Sequence, residues 1–330
     1  MTAALTYGLL QLRWALAGPP WPPRTGDDLA ILSHGGVVVL CGAAALIAAV
    51  LRWRRVHGRA LTLLLAFGAV ISLLLAAASV DLLLDVAHLV LPASGALFHW
   101  GAFFSRLGGL GVGIALGVTV LTAHRRRRRA CLSCGRRPNR QAPPATPQRW
   151  VIAAAYTVVL ACVIRVAAQL SADRARGESM FIGAGADPAA VVFGVTALLA
   201  GTLLPLALVH SWGRFWPSWT GPLAQRRVPR WLLLGPGGFI AAGMTLYFTI
   251  SMIHLISDPS VTEAADYSLT FFWITVSAYF SWGLGLCIVV ASYWLLTRPA
   301  CARCGRGHVT GTDVISSTGV TDTAHPPRTS

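Results

Sequence analysis

The apolar residues of this chain fall in long unbroken blocks, not in the short periodic stripes of a soluble helix or strand. Five windows contain no Asp, Glu, Lys or Arg and are long enough to cross ~30 Å of hydrocarbon. They are Ile31 to Leu51, Ala60 to Val80, Pro188 to Val209, Trp231 to Ser257 and Tyr267 to Thr297. Two more, Trp100 to Thr122 and Trp150 to Leu170, each hold a single Arg, Arg106 and Arg165. The pattern predicts seven membrane-spanning helices before any repeat is considered.

Composition narrows the class further. Of 330 residues, 55% are hydrophobic and 12% charged, about half the charged share of an ordinary soluble domain. Such hydrophobicity excludes general disorder. All 27 basic residues are Arg, and the net charge of +15 would suit either nucleic acid or anionic lipid. The placement of that charge decides between them. The segments 52–59, 125–149, 214–230 and 298–330 hold 21 Arg, whereas the alternating segments hold 4. Eight acids, among them Asp27, Asp173, Asp258 and Glu263, lie on the Arg-poor side. By the positive-inside rule the Arg-rich loops face the cytoplasm. The run Arg125 to Arg129 directly follows a membrane helix, where it orients that helix and meets anionic headgroups. The expected partner is therefore the lipid bilayer, with no role for nucleic acid.

Short matches recur in the same order in both halves, as an internal duplication requires. ACxxCGR occurs at Ala130–Arg136 and at Ala300–Arg306, and Leu63–Ile71 (LLLAFGAVI) parallels Leu232–Ile240 (LLLGPGGFI). Gly109-Leu110-Gly111 parallels Gly283-Leu284-Gly285, and Ala87-His88-Leu89 parallels Ile253-His254-Leu255. The second half opens with a helix holding Tyr156 and Arg165, and the first with Tyr7 and Arg13. An eighth helix is thus expected over Thr2 to Gly18, closed by Pro19, Pro20, Pro22 and Pro23. A cleaved signal peptide is the rival for this segment, but it lacks a basic n-region and Arg13 interrupts its apolar core. The predicted fold is an all-α polytopic membrane protein of eight transmembrane helices, arranged as two parallel pseudo-repeats of four. An even number of spans returns the chain to the same side, which places both termini in the cytoplasm. Residues 1–137 form the first repeat, 138–148 a Pro-rich linker and 149–308 the second repeat. Residues 309–330 form a polar tail expected to be disordered. The plasma (inner) membrane is the expected location.

Three of the seven cysteines, Cys41, Cys162 and Cys287, lie inside spans and are read as small packing residues. The other four form two CxxCG knuckles, both on the side assigned to the reducing cytoplasm, where disulfides are rare. A CxxC turn lets two thiolates converge on one ion, and two such turns supply the four-sulfur set that zinc prefers. Cys131, Cys134, Cys301 and Cys304 resemble the paired knuckles of a zinc ribbon in these short stretches alone. A pseudo-symmetric fold would bring the two distant knuckles together. Arg129, Arg136, Arg137, Arg303 and Arg306 flank them and would stabilise a dianionic Zn(Cys)₄ cluster. His308 is a substitute ligand by position. Thiol redox chemistry and an iron–sulfur cluster are the alternatives for the same cysteines.

A second constellation lies at membrane depth. Asp81, Asp85 and His88 share one helical face, and Arg106, Arg13 and Arg165 are expected at matching depth to form an intramembrane polar cluster. Charges at that depth are functional candidates by default. His254 is the pseudo-equivalent of His88, and two such histidines from different helices could hold haem. No paired-acid hydrolase site, nucleophile elbow or phosphate loop is present; Gly235-Pro236-Gly237-Gly238 lacks the strand and Lys that a phosphate cradle needs. The sequence therefore favours a transport, scaffold or assembly protein with a tetracysteine zinc site over a membrane redox enzyme with bis-histidine haem.

Overall fold

The computed structural model describes residues 1–20, 32–53, 56–90, 98–136, 146–177, 188–259, 267–299, 301, 303 and 304. The linker from 138 to 145, the tail from 309, Arg137, Arg306, His308 and several of the loop acids lie outside these residues.

The described chain is helical, with one isolated antiparallel bridge, Phe215 to Arg227, between α7 and α8. The helices are α1 (Thr2–Ala17), α2 (His34–Arg52), α3 (Gly58–Ala77), α4 (Leu82–Val90) and α5 (Trp100–Arg127). They continue as α6 (Arg149–Arg176), α7 (Pro188–Val209), α8 (Arg230–Ser257) and α9 (Leu269–Leu296). Among the described residues, six stretches are long and apolar enough to cross a membrane: α2, Gly58–Leu89, α5, α6, α8 and α9. α1 has 16 residues, and the apolar part of α7, Gly194–Val209, is also shorter than these. Large apolar side chains point outward along the long helices, with Val39 70%, Leu46 66% and Phe67 64% exposed. Such surface suits hydrocarbon better than water.

Local chemistry sets the helix ends. The Ser33 and Ser268 hydroxyls accept the Gly36 and Phe271 amides at 3.3 and 3.2 Å, capping α2 and α9. Gly177, left-handed at φ +69°, closes α6. The window expected to end at Val80 instead extends to Leu89, with a break between α3 and α4. There the amides of Ser79, Val80 and Leu82 bond three residues back, and the Ser79 hydroxyl donates to the Leu75 carbonyl at 3.1 Å. This tightened turn lets an apolar run of 32 residues change direction rather than overshoot the bilayer.

Two separate cores form. One gathers Ala4, Cys41, Ile47, Leu65, Leu75 and Val120 from α1, α2, α3 and α5. The other gathers Val158, Cys162, Leu208, Met244, Leu286 and Tyr293 from α6 to α9. Within the first set, α1 packs on α2 and α5, and α2, α3 and α5 pack on one another. Within the second, α6 packs on α7 and α9, and α7, α8 and α9 pack on one another. Between the sets, α4 meets α8: Leu83 lies where a Cβ on Gly243 would touch it at 3.2 Å, and it packs against the second core.

Candidate metal centre

The last turn of α5 carries His124, Arg125, Arg126 and Arg127, cations that favour a helix C-terminus. The chain then reverses through Arg129 at φ +47°, and the Ala130 amide donates to the Arg125 carbonyl at 2.9 Å. The first knuckle is closed by the Cys131 amide on the Arg136 carbonyl (3.1 Å) and the Gly135 amide on the Cys131 carbonyl (2.7 Å). Gly135 sits at φ +73°, a left-handed geometry that favours glycine, beside the Arg125 guanidinium. Arg125 Nη1 in turn donates to the Leu132 carbonyl at 2.9 Å. The residue after the second Cys is thus Gly for a backbone reason.

The four thiol sulfurs of Cys131, Cys134, Cys301 and Cys304 lie within 4.8 Å of one another. Cys131 Sγ is 4.0 Å from Cys301 Sγ, and Cys134 Sγ is 3.6 Å from Cys304 Sγ. A disulfide needs ~2.05 Å, so neither pair is bonded. A tetrahedron with Zn–S of ~2.3 Å has S···S edges of about 3.8 Å, and both distances straddle that value. These four residues could hold a metal ion.

Backbone amides favour the anion at the first sulfur of each knuckle. Those of Cys134 and Ser133 point at Cys131 and lower its pKa; those of Arg303 and Cys304 do the same for Cys301 and bring it to about 6. The two knuckles share this wiring, each first cysteine taking amides from the second and third residues after it. Burial pushes Cys134 the other way, to about 11. Arginines clasp the knuckles across the pair: Arg136 Nη1 donates to the Pro299 carbonyl (3.2 Å), and Arg298 Nη2 donates to the Cys134 carbonyl. Burial, followed by the neighbouring Arg136 charge, lowers the pKa of Arg298. Of the arginines expected around the site, Arg136 takes this role and Arg303 contributes its amide, whereas Arg129 is exposed in the reversing turn. Arg125 and Arg298 were not legible as partners, because their acceptors are backbone carbonyls.

At membrane depth, three of the seven expected residues meet. Arg106 Nη1 lies 2.8 Å from Asp85 Oδ2, and Nη2 lies 3.5 Å from Asp81 Oδ2, with Asp85 1% exposed. Arg13 is exposed on α1, and Arg165 lies against the Phe271 and Tyr279 rings of α9. His88 Nδ1 donates to the Leu84 carbonyl of its own helix at 2.8 Å, while His254 is half-buried near the end of α8. Besides the Gln169–Asp173–Arg176–Tyr267 set at the end of α6, a polar network on α1 went unforeseen. Buried Gln11 donates to Tyr7 Oη (2.7 Å) and Ser105 Oγ (3.1 Å) and accepts from His34 Nδ1 (2.7 Å). A lone Gln in an apolar helix was its sequence signal. Compared with known proteins, the chain matches no family model, no curated protein and no solved structure.

Proposed function

We propose that the protein is an eight-span membrane protein of two like-oriented four-helix units, joined on the cytoplasmic side by a structural Zn(Cys)₄ centre. The observation that carries this reading is the convergence of four sulfurs from two knuckles 170 residues apart in sequence. Two cores with matching packing partners support the duplication, as do contacts at corresponding glycines. A Cβ on Gly68 would meet Val120 and Ile47; one on Gly237 would meet Val290, Leu208 and Leu204. A Cβ on Gly113 would meet Leu75 and Ala76; one on Gly283 would meet Met244 and Thr245. This register pairs Gly113, not Gly109, with Gly283. The shift is one helical turn and gives the glycine pair the same 170-residue spacing as Cys131 and Cys301.

A site of four thiolates has no open coordination position for substrate, so the centre acts as a clamp and not as a catalyst. The Arg-rich surroundings offset its net negative charge. The reading is that of an anchoring or assembly protein of the plasma membrane whose halves are held in register from the cytoplasmic side. Elemental analysis of detergent-purified protein tests it: near-stoichiometric zinc is expected, lost in Cys131→Ser and in Cys301→Ser. Zinc absent from the wild type, or iron in its place, defeats this assignment.

A further inference from the structure

Under the proposed duplication, one glycine contact aligns α1 with α6, and the match of Val120 to Val290 aligns α5 with α9. Gly8 of α1 faces Cys41 of α2, and Cys162 of α6 faces Gly201 of α7. Three residues beyond Gly8 stands Gln11; three beyond Cys162 stands Arg165. Ser105 precedes Val120 by the same interval as Thr275 precedes Val290. In the first unit Gln11 and Ser105 bond one another, and Tyr7 and His34 complete the set. In the second unit the corresponding polar atoms are bare. Arg165 Nε and Thr275 Oγ1 are both enclosed and have no hydrogen-bond partner among the described residues.

That pair of vacancies is unusual in two respects. Helical threonines satisfy themselves on the preceding turn, as Thr157, Thr202, Thr245 and Thr249 do here; Thr275 does not. A guanidinium inside a membrane normally finds a carboxylate, as Arg106 does with Asp85; Arg165 has only aromatic faces. Its Cζ lies 5.7 Å from the Phe271 ring centre and 5.1 Å from that of Tyr279. Phe271, Thr275 and Tyr279 follow one another at four-residue spacing, so the hydroxyl lies between the two rings on the face that Arg165 covers. Tyr279 is itself held between Phe248 and Trp282 by stacking. The cluster carries a positive charge and two unbonded polar atoms, and no carboxylate among the described residues bonds to either. Arg165 and Thr275 are half-buried as residues while these two atoms are enclosed, so a ligand reaches them only when a side chain moves.

We infer that Arg165 and Thr275 bind an oxyanion, with the phosphate of a lipid headgroup or a free phosphate ion supplying the same acceptor oxygens. The Nε edge of arginine matches two oxygens of such a group, and the hydroxyl takes a third. Arg165 stands sixteen residues past Arg149, about 24 Å along α6, beyond the helix midpoint. In the proposed orientation the site opens toward the outer leaflet. The inference is independent of the metal at the cysteines, which lie beyond the opposite end of α9.

Full-length protein, stripped of lipid in a maltoside detergent, is titrated with phosphatidylglycerol, with inorganic phosphate and with diacylglycerol as the phosphate-free lipid. Thermal shift reads binding. A saturable rise in Tm is expected with phosphatidylglycerol and not with diacylglycerol. Apparent affinity is expected to fall about tenfold or more in Arg165→Gln and in Thr275→Val, the scale of one lost charge-assisted hydrogen bond. A rise with phosphatidylglycerol alone assigns the site to a lipid headgroup, and a rise with inorganic phosphate as well assigns it to the ion itself. No response to either probe, or equal responses in wild type and variants, overturns the site. Thr275→Val preserves shape and keeps the test decisive should Arg165→Gln fail to fold.

Discussion

Asp85 is 1% exposed, and the Arg106 guanidinium lies 2.8 Å from its Oδ2. Asp81 stands farther away, at 3.5 Å, and is 15% exposed. Asp85→Asn is therefore expected to destabilise the protein by about 3–5 kcal/mol, because a buried cation loses its close partner. Asp81→Asn is expected to cost only about 1 kcal/mol. Thermal unfolding in detergent measures both, and the reverse order would contradict this account of the pair. Cys301 gives a pH signature in metal-stripped protein. Its thiol pKa falls from 9.0 to about 6 in the fold. Its contribution to stability is full above pH 9, is lost as pH falls toward 6, and is absent below. The gap in Tm between wild type and Cys301→Ser in chelator is expected to close over that window; a gap that widens toward acid pH would reverse the assignment. Cys134, raised to about 11, titrates above this range. At this scale the ligands were legible because CxxCG is a local pattern. The Arg298 clasp was not, since a backbone acceptor leaves no trace in residue type.

Among the elements, close helix approach is the feature most open to test. A Cβ on Gly283 would sit 2.7 Å from the Thr245 amide nitrogen, a backbone atom that cannot turn aside, whereas one on Gly111 would meet nothing within 4 Å. Gly283→Ala is expected to cost about 1–3 kcal/mol through overpacking. Gly111→Ala is expected to be neutral or to stabilise by up to about 1 kcal/mol through helix propensity. Equal melting temperatures for the two variants would show that α8 and α9 are not in such contact. The long helices were legible as uninterrupted apolar windows. The break between α3 and α4 was not, because Ser79 and Asp81 look like the end of a span. Only the partner across the turn, Arg106, shows why the chain continues to Leu89. Nor was it legible which glycine along α5 faces a neighbouring backbone, as Gly113 does, because glycines recur there and sequence spacing alone cannot tell them apart.

For the whole molecule, the described contacts between the two helix sets include the cysteine centre with its arginines and the meeting of α4 with α8. Cleavage at a protease site engineered into 138–145 is therefore expected to leave the two fragments together in detergent. A strong zinc chelator is then expected to separate them on size exclusion. Fragments that part without chelator, or stay joined despite complete metal removal, would show that the clamp is not what unites them. Four ordered matches between the two halves of the sequence were legible, but the way the two helix sets meet was not. Leu83 is one leucine among many, and nothing local marks it as reaching the other unit's core. With α4 against α8 at one place and the cysteines with their arginines at the other, the two helix sets meet through apolar packing at the first and through sulfur and polar groups at the second.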